Sequence, residues 1–168
     1  ISFGTALDCA VSGEGFFIIS KSAEEFAAGS DNLYTRNGKF QVDSSNKYLV
    51  DSFGRKVYGY KLSANGSVQS KELVPIETGG FTDIGFIDGG VLVNNYQQFK
   101  DSTDAGSVPA TRTPIYRLAL SSFQNKQGLT IGEGGAFIKT AGAGEALEAG
   151  SSGDSIYGDI LGESLESS

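Results

Sequence analysis

Two strand-like runs lie over residues 33–42, where Tyr34 and Thr35 on one side and Phe40 and Val42 on the other flank Asn37-Gly38. A type I′ turn needs positive φ at both central residues, which Asn tolerates and Gly accepts freely, so the pattern predicts a β-hairpin. The same idiom recurs along the chain. Upstream, Leu7, Cys9 and Val11 alternate, Ser12-Gly13-Glu14-Gly15 interrupts them, and Phe16-Phe17-Ile18-Ile19 follows as a continuous apolar run. This predicts two strands joined by a tight turn. Downstream, residues 43–47 turn into the strand Tyr48-Leu49-Val50, and Asp51-Ser52-Phe53-Gly54 turns again into residues 55–60. Asn65-Gly66 and Asp88-Gly89 mark two further hairpins. Residues 115–120 read as a strand with Tyr116, Leu118 and Leu120 on one face, and the turn at 125–129 leads to another at 136–140.

Between these elements the pattern fades. Residues 21–31 are expected to form a surface loop. Residues 99–114 are polar, hold two of the three prolines and lack an apolar period, which predicts a long surface loop. Residues 141–155 are small and polar and are expected on the surface, contributing little core. Near the end, Ile156, Ile160, Leu161 and Leu165 fit helical spacing while Gly158 and Gly162 weaken a helix, so a strand is expected to about Leu161 and helix beyond. Glycine at 24 of 168 residues, with only 3 prolines, fits turns rather than a Pro-rich linker. The expected class is all-β: mainly antiparallel hairpins, Gly-rich turns and irregular long loops, with at most short helical turns. Residues 1–168 are expected to form a single β-rich domain, and with no initiator Met or signal segment the chain reads as a piece of a longer protein.

Composition narrows the chemistry. Histidine is absent, which removes His acid–base catalysis, Ser-His and Cys-His nucleophile pairs and His-ligated metal sites. The net charge is -7, and no basic stripe with interleaved aromatics appears, which argues against nucleic acid. No apolar run approaches the ~18 residues of a membrane span, so no membrane insertion is expected. The single Cys9 alternates with Leu7 and Val11 and reads as a small buried apolar residue. Gly13-Glu14-Gly15 lacks the third glycine of a dinucleotide fingerprint and precedes a strand rather than a helix. The Asp, Asn and Ser residues at the turns do not follow a calcium-loop spacing, and no G-x-S-x-G elbow occurs. Carboxylate pairs could in principle hydrolyse glycosides, but the acids sit mostly at turns or in the acidic end segment. Asn65-Gly66-Ser67 matches a glycosylation pattern and equally fits a bare turn. No catalytic, cofactor-binding or metal-binding residue is therefore expected, and no enzyme.

Residues 6–17, with Gly13, Gly15, Phe16 and Phe17, resemble the "LDVAIxGxGFF" run of the bacterial flagellar hook and rod axial proteins. Tyr34, Thr35, Arg36, Gly38 and Phe40 resemble that family's "YTRxGxF" signature, and the stretch through Gly54 and Gly59 its "LVxxxGxxVxGY". Residues 118–129, including Gly128, and 158–168 are similar to its C-terminal half, while 61–114 match weakly. Cys9 stands where the family usually has Val. The resemblance implies a structural subunit of a hook or distal rod in the bacterial flagellum, exported from the cytoplasm. Its implied partners are copies of itself in a helical polymer and other axial or junction proteins. It also implies that terminal helical segments, not present in this sequence, form the inner tube, so this chain by itself is expected to stay monomeric. The space between Tyr60 and Ile115 is short for the extra outer domain of many hook proteins, whereas the wording at 57–60 and 125–129 leans toward hook. The alternative from another class is an extracellular β-rich binding or adhesin module.

Overall fold

Four consecutive apolar residues leave a strand no polar side to turn toward water, so Phe16-Phe17-Ile18-Ile19 must be covered on both faces. In the computed structural model, which describes residues 2–3, 5–21, 32–104, 112–146, 150–153 and 157–165, all four are buried. Phe17 and Ile19 enter one apolar cluster with Cys9, Phe40, Leu49, Val57, Ile76, Phe86, Leu118 and Leu120. Phe16 and Ile18 enter a second with Tyr34, Tyr58, Ala119 and Phe123. The strand is thus a wall between two cores.

In chain order the strands are β1 (Ser2–Phe3), β2 (Asp8–Val11), β3 (Phe16–Ile19), β4 (Leu33–Thr35), β5 (Gly38–Lys39), β6 (Gln41–Val42) and β7 (Leu49–Val50). Next come β8 (Tyr58–Lys61), β9 (Val74–Pro75), β10 (Ile84–Ile87) and β11 (Val91–Asn94), followed by the helix α1 (Tyr96–Asp104). The last are β12 (Thr113–Leu118), β13 (Leu120–Ser121), β14 (Thr130–Ile131), β15 (Phe137–Ile138), β16 (Ile160–Gly162) and β17 (Ser164–Leu165). Two larger sheets run β10-β11-β12-β8-β9 and β13-β3-β4-β15-β14, with a smaller one β16-β2-β5 and the pairs β6-β7 and β1-β17. Every strand pair among the described residues is antiparallel. The class is all-β, as the pattern of turns and short strands predicts.

Several local expectations hold. Ile84–Ile87 and Val91–Asn94 pair in a hairpin whose turn uses Gly89 at φ +95° and Gly90 at φ +71°. Residues 62–68 reverse through Gly66 at φ +88°, with Leu62 bridged to Val68. The turn at 51–54 closes with Gly54 at φ +78°, and the one at 43–47 connects β6 to β7.

Others do not. The hairpin centred on Asn37-Gly38 does not form: β4 pairs with β3 and β15, β5 pairs with β2, and neither Asn37 nor Gly38 takes positive φ. Instead the chain steps from one sheet to another there, using a side-chain turn in which Thr35 Oγ1 accepts the Asn37 N–H and Asn37 Oδ1 accepts the Lys39 N–H. Likewise β2 and β3 are strands but do not pair with each other.

The 99–114 loop is corrected by α1, which covers 99–104, and by β12, which begins at Thr113; residues 105–111 lie outside the described residues. The helix starts because Asp83, far upstream, caps it, its carboxylate accepting the N–H groups of Gln97 and Gln98 at 2.9 and 3.0 Å. The helical turn expected after Leu161 is absent through Leu165, since Glu163 at φ +52° breaks the chain between β16 and β17. Within 141–155, Ala143 is buried in the second cluster rather than on the surface. Residues 22–31, 147–149, 154–156 and 166–168, on which parts of the loop and end-segment expectations fall, lie outside the described residues.

Candidate functional site

Most of the residues singled out from sequence converge where the 11–15 turn, the 34–40 step and the segment 157–160 cross. At its centre the Arg36 guanidinium donates to three main-chain carbonyls of one turn: Nη1 to Gly13 O and to Gly15 O at 2.6 Å, Nη2 to Val11 O at 3.0 Å. A turn between strands of different sheets leaves its carbonyls without ladder partners, and a rigid fork with several N–H groups satisfies them together. The same turn is joined to the C-terminal segment. Ser12 N–H donates to Asp159 O at 2.8 Å and Gly15 N–H to Tyr157 O at 2.9 Å.

The glycines here are required by contact. A Cβ on Gly13 would lie 2.6 Å from Gly158 Cα, one on Gly15 2.9 Å from Tyr157 O, and one on Gly38 1.9 Å from Cys9 O. Phe17 and Phe40 meet edge-to-face at 5.2 Å, and Phe40 reaches Phe86 at 6.4 Å. On the other side of β3, Phe16 packs against Phe137 at 5.3 Å and Tyr34 against Phe123 at 4.8 Å. Thr35 is buried with its hydroxyl engaged by Asn37 N–H.

The remaining signature positions lie away from this crossing but do similar work. Gly54 closes its turn in the left-handed region. A Cβ on Gly59 would meet Arg117 O at 2.5 Å across the β8–β12 ladder, and one on Gly128 would meet Ala143 N at 2.4 Å. Cys9 is fully buried, and burial together with the nearby Asp8 carboxylate pushes its thiol well above the usual range.

Sequence reasoning missed three polar arrangements, two of them buried. Asp8, the buried first residue of β2, accepts from Thr5 N–H at 2.6 Å and from its hydroxyl at 3.1 Å. Asp51 and Arg55 form a buried ion pair at 2.8 Å, and Arg55 Nη1 donates to Glu133 O at 3.1 Å, tying the 51–55 turn to the 133–135 turn. Their i,i+4 spacing across Gly54 is the signal that could have found them. Arg112 stacks over the rings of Tyr96 and Phe99 at 4.7 and 4.5 Å, anchoring the underside of α1.

A cleft of about 330 Å³ beside that helix brings Asp88 and Glu163 to its lining. Both carboxylates have partners: Asp88 Oδ1 accepts Gly162 N–H at 3.0 Å, and Glu163 is paired with Lys100 at 2.7 Å. Among the described residues no group of three His, Cys, Asp or Glu is placed to hold a metal ion. No helix among them is long and apolar enough to cross a membrane.

At these positions the Arg36 guanidinium, the close-approach glycines and the packed rings all contact other parts of the same chain. A search of curated proteins finds no match. Residues 10–87 match the family model described as "Flagellar hook protein FlgE/F/G D1 domain", which reaches beyond Tyr60 into the stretch where the motifs fade. Residues 10–87, a little under half of the chain, thus match the D1 domain of the flagellar hook and rod family, a family of structural proteins of the flagellum.

Proposed function

We propose that this chain is the β-rich domain of a subunit that self-assembles into the helical tube of the hook or distal rod and transmits motor torque. The observation that carries this reading is the use of the signature residues: Arg36, the close-approach glycines and the edge-to-face aromatics all stiffen the domain itself. A torque-bearing subunit needs such a rigid body, because load applied at one face must reach another without the core yielding. An adhesin module would instead be expected to present its recurrent residues outward. The signature positions are proposed as structural in the same sense, and residues 1–168 as one folding unit, which the pairing of β16 with β2 and of β17 with β1 favours.

Assembly requires outward contacts as well. Open helical polymers are built from heterologous, non-closing interfaces. Phe53, Ile131 and Ile138, at 48, 66 and 40 % exposure, are large apolar side chains on the outside of this fold and the first positions to test as contacts. The proposed partners are copies of the subunit and neighbouring axial or junction proteins, after export from the cytoplasm.

The test is polymerisation of the full-length protein that contains this chain, followed by electron microscopy and by motility of cells carrying it. Helical tubes, with motility lost when Phe53, Ile131 and Ile138 are together changed to Ser, are the expected result. A full-length protein that stays monomeric and is dispensable for motility would refute the reading.

A further inference from the structure

The chain contains the dipeptide Asn-Gly twice, and the fold holds the two copies differently. We propose that Asn65-Gly66 is a site of spontaneous covalent modification, where Asn65 passes through a cyclic imide to aspartate and isoaspartate, while the fold keeps Asn37-Gly38 unreactive. In this reaction the Gly66 main-chain nitrogen attacks Asn65 Cγ. The new N–Cγ bond forms as the Cγ–Nδ2 bond breaks, and Nδ2 leaves as ammonia with the proton given up by Gly66. Water then opens the imide, giving aspartate if it cleaves the new bond and isoaspartate if it cleaves the original main-chain bond. No oxidant or reductant is involved.

Three features of the 62–68 reversal favour the attack. Asn65 is exposed at its tip, and residues 67–71 beyond it are exposed as well. Asn65 Oδ1 accepts the Ser63 hydroxyl at 2.6 Å and Ser67 N–H at 3.0 Å. Two donors on the amide oxygen draw electron density from Cγ, the atom to be attacked. Gly66 brings no side chain to obstruct the nitrogen, and the nearest atom to a Cβ placed there is Pro114 Cγ at 3.8 Å. The main-chain bond that has to open is the one from Gly66 N–H to Ser63 O at 2.9 Å. It closes a single exposed turn, so its opening is a local event rather than unfolding of a sheet.

Asn37 is also exposed, yet its neighbours are pinned. Gly38 is buried opposite Cys9 in the β2–β5 ladder, so close that a methyl group would strike the Cys9 carbonyl. Asn37 N–H is tied to Thr35 Oγ1 at 3.0 Å, and Arg36 is locked onto the 11–15 turn. Rotating the Gly38 nitrogen onto Asn37 Cγ would therefore tear β5 from β2, a sub-global opening.

The test is incubation of the purified chain at mildly alkaline pH, natively and in concentrated urea, followed by peptide mass spectrometry and an isoaspartate assay at both sites. In the native chain, conversion at Asn65 should exceed that at Asn37 by at least about tenfold, because the more extensive opening at Asn37 is the rarer one. In urea the two sites should convert at comparable rates. An Asn65→Ser variant should lose the isoaspartate signal without change in melting temperature. Native rates that are equal, a faster Asn37, no conversion at Asn65, or the same ratio in urea as in the native chain would each overturn the proposal.

Discussion

Replacing Gly38 by Ala should destabilise this chain more than replacing any glycine whose only requirement is positive φ. The added Cβ would lie 1.9 Å from Cys9 O and 3.1 Å from Phe17 Cε2. The first obstacle is main chain in the partner strand, so no rotamer change relieves it. Real Cβ contacts do not fall below 3.0 Å, so β5 would have to move from β2 by more than 1 Å. That displacement strains the two residue pairs Asp8↔Lys39 and Cys9↔Gly38. Overpacking costs about 1–3 kcal/mol. Losing one or two ladder hydrogen bonds adds about 0.5–1.5 kcal/mol each. A loss of about 3–5 kcal/mol is expected, a large share of the ~5–15 kcal/mol by which domains are usually stable. Gly89→Ala is the control, since Gly89 has φ +95° and nothing lies within 4 Å of the methyl it would gain, so only the left-handed backbone is penalised, by about 1–2 kcal/mol. Urea unfolding followed by circular dichroism measures both. At a slope of about 2 kcal/mol/M, the midpoint should fall by roughly 1.5–2.5 M for Gly38→Ala and by less than about 1 M for Gly89→Ala. Equal losses would refute the close-approach reading and restore an Asn-Gly hairpin turn at this position.

Arg36→Met strips three carbonyls of their donor and should cost about 2–4 kcal/mol, less than the bonds summed because water can reach the half-buried site; Arg36→Lys should recover only part of it in the same urea titration. Asp83→Ala removes the cap of α1 and should cost about 0.5–2 kcal/mol, with faster amide exchange at Gln97 and Gln98 than in the parent; unchanged protection there would contradict the capping role. The Lys100–Glu163 pair sets a pH window. Hydrogen bonding to Lys100 holds the Glu163 carboxyl below its ordinary 4.5, so its contribution is present above 4.5 and disappears as pH falls through the lowered value. Hydrogen bonding to Glu163 raises the Lys100 ammonium above its ordinary 10.5, so that contribution is present below 10.5 and is lost as pH climbs through the raised value. The stability difference between the parent and Glu163→Gln should therefore be flat between these limits and below about 1 kcal/mol, since the pair is well exposed; a difference that grows toward acid would contradict this.

How much could be read in advance depended on the range of the interaction. The unbroken Phe16-Phe17-Ile18-Ile19 run announced a strand, because burial on both faces writes itself into every position. Asp88-Gly89 announced its hairpin, because both arms and the turn are contiguous. Asn37-Gly38 carried the same local signal and misled, since what decides its conformation is Cys9 and Phe17 pressing on Gly38 from distant strands. The helix at Tyr96–Asp104 was hidden for a related reason: its cap is Asp83, and its apolar residues Tyr96 and Phe99 lie against Arg112, neither on the helix itself. At the crossing, Arg36 was legible as part of a recurring motif, but its acceptors on the 11–15 turn were not, because they are main-chain carbonyls and have no residue identity to read. The buried Asp8 and the Asp51–Arg55 pair were similarly masked by a pattern in which charge stands for surface.

The most direct test of the scaffold role is to place Arg36→Met in the full-length protein and follow folding and polymerisation together over temperature. If Arg36 braces the domain, assembly will track the folded fraction, and lowering the temperature until the variant is folded will restore tubes and motility. If the folded variant, with native circular dichroism and a cooperative melt, still fails to polymerise, Arg36 is a contact between subunits and the bracing role is wrong.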